Sequence, residues 1–336
     1  MPVKGLVLRG SRNLFIVRTV SGEIECRIKG KILKGVEGYY NPLAPGDIVE
    51  IDGGLILGLE KRRNAFTRFN QKGQAPQLIA ANVDLVICVT SPAYPPFRPR
   101  FMDRLLLQAE AADIPQVIVC NKYDLAAQES SGAYDSDLLD TEERLSDFER
   151  IGIPVYRLSA KSGEGMENFK RFIAGKFSVL VGQSGVGKSS LVNALIPNLE
   201  IRTGEINEKF NRGNHTTTQS VLLDVPNLEP FDVNSSVLTA ANAVAGNSAS
   251  TRIIDTPGIR RFALDGIKAE DLVLYMKEFA PLAGKCSYGL SCSHKTEPGC
   301  KIMEAVAAGV IHEDRYDSFL RIHEELSDER EYADAD

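Results

Sequence analysis

A glycine-rich stretch in the middle of the chain has the residue types and spacing of a phosphate-binding loop. Gly182 is followed, after four residues, by Gly187, Lys188 and Ser189, and the stretch lies between an apolar run and a helix-like segment. Backbone N–H groups of such a loop favour a polyphosphate, the lysine reaches the outer phosphates, and the serine hydroxyl binds Mg²⁺. The pattern therefore predicts a nucleotide site.

A second phosphate-sensing element lies downstream at Asp255–Gly258, with the sequence DTPG. An acid at the end of a strand can hold Mg²⁺, usually through water, and the glycine can sense the γ-phosphate. Asp-Thr-Pro-Gly is also a good turn sequence by itself. Its position after a phosphate loop in an α/β chain favours the nucleotide role.

Two stretches upstream of the phosphate loop have the chemistry to recognise guanine: Asn121–Asp124 (NKYD) and Ser159–Lys161 (SAK). The Asp124 carboxylate only accepts hydrogen bonds, so it can pair with the N1–H and 2-amino groups of guanine, which adenine lacks. We expect Asn121 to tie this loop to its neighbours and the Ala160 N–H to bond guanine O6.

The order of these motifs is unusual. A GTPase normally runs from the phosphate loop through DTPG to the guanine motifs, whereas here both guanine motifs precede the phosphate loop. One cut and one join convert the first order into the second, and sheet topology tolerates such relocation of termini. The sequence therefore predicts a circularly permuted domain.

The segment Arg212–Thr218 (RGNHTTT) lies where a switch region must supply a threonine to Mg²⁺ and the γ-phosphate, and Thr217 is the preferred candidate. Ile259, directly after DTPG, cannot orient the attacking water as a glutamine does in Ras-type enzymes. His215 is the candidate replacement. The alternative, a histidine that only contacts RNA or orders the switch, remains open.

Four potential metal ligands cluster near the C-terminal end, at Cys286, Cys292, His294 and Cys300. Three thiolates and one imidazole form a closed tetrahedral set that suits structural Zn²⁺ and leaves no open position for catalysis. In a cytosolic chain such clustering favours a metal over disulfides. The three scattered cysteines, Cys26, Cys88 and Cys120, are expected to be buried and structural.

The charge of the chain is unevenly distributed. Residues 1–72 carry thirteen Lys and Arg against seven Asp and Glu, a net charge of +6, so the remainder carries −12 of the total of −6. A basic N-terminal region suggests an anionic partner such as RNA, although a solvated basic face remains the alternative. No apolar run approaches the ~20 residues of a membrane helix, and the N-terminus lacks a signal-peptide pattern. A cytoplasmic protein is expected.

Hydrophobic patterning divides the chain into three parts. Residues 1–70 contain five short strand-like runs, which predict a small β-barrel. From Ala80, strands and helices alternate as in a parallel α/β sheet, including a charged helix over Leu138–Arg150. From about Glu270 the chain is expected to be helical. The Asn/Ser/Ala-rich stretch at 227–250 has the composition of a mobile inserted loop.

Taken together, these motifs resemble the ribosome small-subunit-dependent GTPase A family. The resemblance covers nearly the whole chain and includes "IAANVDLV", "NKYDL", "LSAKSGEG", "GQSGVGKSSLVNAL", "GNHTTT", "IIDTPGIR" and "CSHKTEPGC". It implies an OB-fold, a circularly permuted GTPase domain and a C-terminal zinc-binding domain. It also implies GTP hydrolysis stimulated by the small ribosomal subunit, contact with its rRNA, a role in late subunit maturation, and a hydrolytic role for His215. A monomer is expected.

The resemblance and the motifs together give one set of expectations. The expected domains are 1–72 (OB-fold, RNA-binding), 73–268 (permuted GTPase) and 269–336 (zinc-binding, helical, with an acidic tail). The residues predicted to act in hydrolysis are His215, Lys188, Thr217 and Asp255. The residues predicted to hold GTP or GDP with Mg²⁺ are Asn121, Lys122, Tyr123, Asp124, Ser159, Ala160, Lys161, Gly182, Gln183, Ser184, Gly185, Val186, Gly187, Lys188, Ser189, Ser190, Thr217, Asp255 and Gly258.

Two departures from the family pattern stand out. Five residues separate Cys286 from Cys292 where the family usually has four, so the extra residue is expected to form a bulge. Asn214 replaces a usual arginine, which is expected to weaken one RNA or phosphate contact.

Three other functions are consistent with parts of the sequence. A P-loop ATPase or kinase would make NKYD an accident, and unchanged base preference in Asp124→Asn would support it. A zinc-stabilised RNA-binding module with a vestigial nucleotide site is disfavoured by intact Lys188, Ser189 and Asp255. A membrane-associated GTPase is disfavoured, because the sequence contains no hydrophobic anchor.

Overall fold

The structure of the chain is a computed structural model that describes residues 2–11, 13–30, 38–128, 134–196, 199, 219–226, 228 and 250–333. The predicted switch residues His215 and Thr217, and Asn214 beside them, lie outside the described residues. So does the predicted insertion at 227–250, apart from Leu228 and Ser250.

The N-terminal part is the small β-barrel that the sequence predicts. Its core consists of alternate inward-facing residues, such as Phe15 and Val17 on one strand and Val49 and Ile51 on another. The barrel is closed in the order β1-β2-β3-β5-β4, as in an OB-fold. The strands are β1 (Val3–Ser11), β2 (Leu14–Thr19), β3 (Gly22–Ile28), β4 (Ile48–Asp52) and β5 (Leu55–Leu59).

A β-hairpin that the sequence analysis did not anticipate joins the barrel to the rest of the chain. It pairs β6 (Ala65–Asn70) with β7 (Ala75–Ala81). Phe66 is buried against Phe262, with ring centroids 5.8 Å apart, so the hairpin packs on the segment after DTPG. The expected domain limit at residue 72 falls in the turn of this hairpin, and the limits remain a prediction.

The central part is the predicted α/β sheet. Its six strands have the order β10-β9-β8-β11-β13-β12, and every adjacent pair is parallel except β12–β13. Because both faces are covered, β8, β9, β11 and β13 are buried along their whole length. The strands are β8 (Leu85–Thr90), β9 (Gln116–Cys120), β10 (Val155–Arg157), β11 (Phe177–Gly182), β12 (Val221–Val225) and β13 (Thr251–Asp255).

Helices connect the parallel strands and cover the two faces of the sheet. The charged helix begins at Tyr134 rather than at Leu138, because its polar first turn carries no hydrophobic signal for the boundary. Cys88 and Cys120 are fully buried, as expected. The helices are α1 (Pro99–Ala111), α2 (Asp124–Gln128), α3 (Tyr134–Arg150), α4 (Met166–Ile173) and α5 (Lys188–Leu195).

The C-terminal part starts with short 3₁₀ turns, at Ala269–Tyr275, Ala280–Leu282 and Gly289–Ser291, instead of the helix expected from Glu270. Two α-helices come next, α6 (Lys301–Ala307) and α7 (Glu313–Ala333). Leu272, Met276, Phe279 and Phe319 belong to the same apolar cluster as the buried face of α1. In the described part of the chain, no helix is long and apolar enough to cross a membrane.

A buried ionic network fixes α7 to the sheet domain. Arg315 donates to Asp103 of α1 at 2.5 Å and to both carboxylate oxygens of Glu278 at 2.5 and 3.0 Å. Arg144 of α3 lies 3.8 Å from Asp103, and both guanidinium groups stand over the Phe148 ring at 5.4 and 5.5 Å. The network joins three helices through groups that are almost completely inaccessible to water.

Removing one partner of this network should be costly. We expect Arg315→Leu to lower the free energy of unfolding by about 3–5 kcal/mol, because Asp103 and Glu278 then remain buried without their cation. Arg321→Leu is the matched control on the same helix, since Arg321 is exposed and its one ion pair among the described residues is with Asp317 at 2.9 Å; its expected cost is below about 0.5 kcal/mol. Urea unfolding measures both. Equal losses in the two variants would contradict the assignment.

Candidate nucleotide site and metal centre

The phosphate loop joins β11 to α5 at the carboxyl edge of the sheet. Gly185 and Gly187 adopt positive φ angles of 89° and 88°, which residues with a side chain rarely adopt. A Cβ on Gly187 would lie 2.3 Å from the Asn121 side-chain nitrogen, and one on Gly182 would lie 2.3 Å from the Val89 carbonyl oxygen. The glycines of the motif are therefore required by backbone conformation and by close approach.

Lys188 and Asp255 are the two buried charged residues of this loop region. The Lys188 ammonium donates to the carbonyl oxygens of Gly182 and Gln183, each at 2.9 Å. Burial lowers the pKa of Lys188 to about 8, against the opposing effect of Asp255. Burial raises the pKa of Asp255 to about 6, which Lys188 partly offsets.

The Asp255 carboxylate fits the role of a Mg²⁺ holder. It is 3% exposed, and neither of its oxygens has a hydrogen-bond partner among the described residues. A buried carboxylate without a hydrogen-bond donor is costly unless a cation or its water shell occupies the site. Ser189, whose hydroxyl is the other predicted Mg²⁺ ligand, lies in the first turn of α5 beside Ser190.

The turn after β13 packs directly on the phosphate loop. The Thr256 hydroxyl donates to the Leu180 carbonyl at 2.5 Å, and the Ile259 N–H donates to the Gly182 carbonyl at 3.1 Å. A Cβ on Gly258 would lie 2.5 Å from the Ser184 Cα. Gly258 therefore touches the loop at the place where a γ-phosphate sensor must lie.

Asn121 connects three separate loops, as the sequence predicts. Its side-chain nitrogen donates to the carbonyls of Val186 at 3.1 Å and Gly187 at 3.3 Å, and its side-chain oxygen accepts the Ala160 N–H at 3.0 Å. The residue is 1% exposed. A guanine O6 would have to share the Ala160 N–H with Asn121 or displace that bond.

The other guanine-motif residues surround this connection. Lys122 crosses the phosphate loop and donates to the carbonyls of Gly185 at 2.6 Å and Tyr94 at 2.5 Å. Asp124 lies at the start of α2, and one of its oxygens is buried without a partner among the described residues. This oxygen is therefore available to accept a hydrogen bond from guanine. Tyr123 packs against the core, and burial with a nearby Glu142 raises its pKa to about 12.

The SAK turn comes directly after β10. Ser159 is fully buried, and its hydroxyl oxygen accepts the Ser162 N–H at 3.1 Å. Lys161 is exposed at the surface. The structure thus brings the NKYD, SAK, phosphate-loop and DTPG residues to one edge of the sheet.

Sequence reasoning missed the loop after β8. Its Tyr94 carbonyl shares the Lys122 ammonium with Gly185, and the ring of Pro95 would be 3.3 Å from a Cβ on Gly185. The only signal was the proline-rich stretch SPAYPPFRPR, which marks a stiff loop without saying what it contacts.

The four predicted metal ligands converge in the C-terminal part. Their ligand atoms lie within 4.8 Å of one another, and all four residues are buried. The Cys286 and Cys300 sulfurs are 3.9 Å apart, and His294 Nδ1 is 3.5 and 3.4 Å from them. A tetrahedral zinc site with its usual bond lengths has S···S near ~3.8 Å and S···N near ~3.6 Å. The donor set therefore fits Zn²⁺.

The surroundings of the cluster hold its ligands in place. The Lys301 N–H points to the Cys286 sulfur at 3.3 Å, and the Tyr316 hydroxyl donates to the His294 carbonyl at 2.7 Å. Burial lowers the pKa of His294, which favours the neutral ring that metal binding requires. The five residues between Cys286 and Cys292 include the Gly289–Ser291 turn, and the two cysteines still converge with the other ligands.

The strand order, together with the chain order of the motifs, defines a GTPase whose nucleotide-binding domain is circularly permuted. Among solved structures, YjeQ from Thermotoga maritima is similar over 97% of this chain and 99% of its own, with a TM-score of 0.68 and 29% identity. YloQ, described as a circularly permuted GTPase, is similar in fold, with a TM-score of 0.63, 23% identity, and coverage of 98% of this chain and 96% of its own.

The sequence comparisons narrow this class to one family. The RsgA GTPase family model matches residues 59–230. The small ribosomal subunit biogenesis GTPase RsgA of Bacteroides fragilis (strain YCH46) is 35% identical over 332 residues, which cover 96% of this chain and 97% of that protein. The chain belongs to the RsgA GTPase family and is a GTP hydrolase.

The three-way connection of Asn121 predicts a specific loss of nucleotide binding. We expect Asn121→Ala to weaken GDP and GTP binding by roughly tenfold or more, because buried partners lose hydrogen bonds worth about 1–3 kcal/mol. Asn64→Ala is the control, since Asn64 makes the same kind of bonds to Val83, at 2.9 and 3.0 Å, outside the site. Fluorescent-nucleotide titration should show unchanged affinity in the control. Unchanged affinity in Asn121→Ala would refute the role.

Proposed function

We propose that this GTPase binds the small ribosomal subunit, contacts its rRNA, and hydrolyses GTP to GDP and phosphate during late subunit maturation. The observation that carries the hydrolysis is the buried, unpartnered Asp255 carboxylate beside Lys188 at the mouth of the phosphate loop, in the part of the chain that the structure describes. The subunit as partner is supported by the name of the Bacteroides fragilis relative and by the net charge of +6 on residues 1–72.

In this proposal the phosphate loop exchanges internal bonds for bonds to the nucleotide. The Lys188 ammonium leaves the carbonyls of Gly182 and Gln183 and neutralises the β- and γ-phosphate oxygens. Asp255 and Ser189 would hold Mg²⁺, which would supply positive charge where phosphate charge develops. The Gly258 N–H reports the presence of the γ-phosphate.

The base is read by the two guanine loops. The Asp124 carboxylate accepts the N1–H and 2-amino hydrogens of guanine, and the Ala160 N–H donates to O6. Lys122, already held across the phosphate loop by Gly185 and Tyr94, covers the base with its aliphatic stem.

Hydrolysis requires one water oriented towards the γ-phosphorus, opposite the leaving β-γ bridging oxygen. Ile259 is buried and offers no side-chain hydrogen bond, so the orienting group comes from the switch segment. His215 is the proposed group, with Thr217 completing the Mg²⁺ and γ-phosphate contacts. Both assignments rest on the sequence alone.

The remaining assignments belong to the same proposal. Residues 1–72 act as the RNA-binding domain, 73–268 as the GTPase domain, and 269–336 as a zinc-binding domain to which the DTPG turn relays the nucleotide state. A subunit-maturation GTPase acts where subunits are assembled, so the proposed location is the cytoplasm. The proposed oligomeric state is a monomer.

The proposal predicts slow hydrolysis alone and fast hydrolysis on the ribosome. Small subunits should raise the GTPase rate by several powers of ten, because a trans-acting activator in related chemistry yields up to about 10⁵-fold. The GTPase rate is measured as steady-state phosphate release in three samples: with small subunits, with large subunits, and with neither. A rate that small subunits leave unchanged would contradict the proposed partner.

The zinc assignment predicts a metal-dependent C-terminal part. We expect about one zinc ion per purified chain by elemental analysis, and its loss in Cys292→Ser, because three ligands no longer close the tetrahedron. Cys26→Ala is the matched control, since Cys26 is equally buried but lies in the barrel core. Retention of zinc by Cys292→Ser would show that the cluster is not the site.

A further inference from the structure

A cavity of about 680 Å³ opens beside the phosphate loop, on the side facing α7. Its walls come mainly from the residues around the start of α1, the segment after DTPG, and α7, with Gln71 of the hairpin turn also in the lining. Gln183 of the phosphate loop also lines it. We call it the arginine groove, after the five arginines that line it: Arg98, Arg100, Arg104, Arg260 and Arg261.

The positive charge of the groove is only partly compensated. Arg100 pairs with Asp317 at 2.8 Å, and Arg104 pairs with Glu325. Arg98, Arg260 and Arg261 are exposed, and within the described ranges none of their side chains has an ion pair or hydrogen bond. Asp314, the other acid on the wall, lies 3.9 Å from Arg144.

This excess stands out against its surroundings. Residues 73–336 carry a net charge of −12, so a cluster of uncompensated arginines in the described part of this region is a local reversal of sign. Like charges held together on a surface repel, and an anionic partner relieves that repulsion. The groove is thus suited to a partner with several negative charges.

The aromatic residues of the wall help to distinguish between classes of anionic partner. Phe97 and Phe101 line the groove and are only partly buried, while Phe262 is buried beneath. Guanidinium groups bind phosphates through paired N–H donors, and aromatic faces accept stacked bases. An acidic peptide would use the arginines but would gain little from the rings. Single-stranded RNA uses both.

We propose that the arginine groove binds a single-stranded stretch of RNA, with phosphates on Arg98, Arg260 and Arg261 and a base against Phe97 or Phe101. The identification of this RNA as rRNA of the small subunit rests on the proposed function. Arg260 lies two residues after Gly258, and Gln183 lies in the phosphate loop. The groove is therefore lined by residues from two segments of the nucleotide site, the phosphate loop and the chain after DTPG.

The first test is direct RNA binding. The probe is a fluorescein-labelled 12-nucleotide polyuridine, titrated between 50 and 200 mM KCl. Each lost phosphate contact should reduce the slope of log Kd against log salt by about 0.7. We expect a reduction of about 1.4 in Arg260→Gln/Arg261→Gln and about 0.7 in Arg98→Gln. Arg98 precedes α1, so this variant alters the groove without changing the segment after DTPG.

The matched control is Lys170→Gln/Arg171→Gln, two adjacent cations on α4, which packs against the other apolar cluster of the sheet. Its RNA affinity and slope should equal those of the unmodified chain. Circular dichroism and GDP affinity check that each variant is folded. Groove variants that bind the oligonucleotide with unchanged affinity and slope would overturn the proposal.

Co-sedimentation with small subunits separates this inference from the proposed function. Failure of the unmodified chain to co-sediment would refute the proposed partner, while the oligonucleotide result would still decide the groove. If groove variants lose subunit binding but bind the oligonucleotide normally, the groove accepts a ribosomal protein and the RNA proposal is wrong. Loss of both in the groove variants alone supports it.

Discussion

The nucleotide site depends on one constraint of the sheet: the carboxyl ends of its parallel strands all meet at one edge. β11 lies between β8 and β13, and β9 and β10 continue the sheet beyond β8. Backbone pairing depends on this spatial order and is indifferent to the order along the chain. The Asn121 side chain can therefore bond the Val186 carbonyl, 65 residues further on, in a chain whose guanine motifs precede its phosphate loop.

The permuted order determines which part of the chain comes after the γ-phosphate-sensing turn. The chain leaves Gly258 and is held again within a few residues: the Phe69 N–H donates to the Ala263 carbonyl at 3.1 Å, and Gln108 of α1 bonds both backbone groups of Asp265, at 2.8 and 3.1 Å. Only a short stretch of chain is therefore available to absorb a displacement at 256–259 before it reaches these bonds. Beyond Asp265 the chain enters the C-terminal part, which Arg315 fixes to α1.

The motifs could be predicted from sequence because glycine spacing, a carboxylate at a strand end and clustered cysteines each have local chemical causes. The barrel and the sheet could be predicted from periodicity. The hairpin at 65–81 could not be predicted, because Phe66 gains its partner from Phe262, far along the chain. The sequence does not show that Arg315 is buried rather than exposed on the surface, since its burial arises only when three helices meet. The arginine groove likewise combines residues that the sequence separates.

The buried charged groups of this chain differ in whether a group of opposite charge lies at hydrogen-bond distance. Asp47 and Arg315 are buried, and each is matched by opposite charge at hydrogen-bond distance, so they fix geometry. Asp255 is equally buried, and neither of its oxygens makes a well-formed hydrogen bond among the described residues; burial raises its pKa, which Lys188 and the Thr256 backbone offset only in part. The cost of ionising Asp255 is borne by the stability of the surrounding sheet and is relieved when a cation arrives with the nucleotide. Asp255 is therefore set apart from the other buried charges by its place at the phosphate loop beside Lys188, where a cation that arrives with the nucleotide completes its compensation.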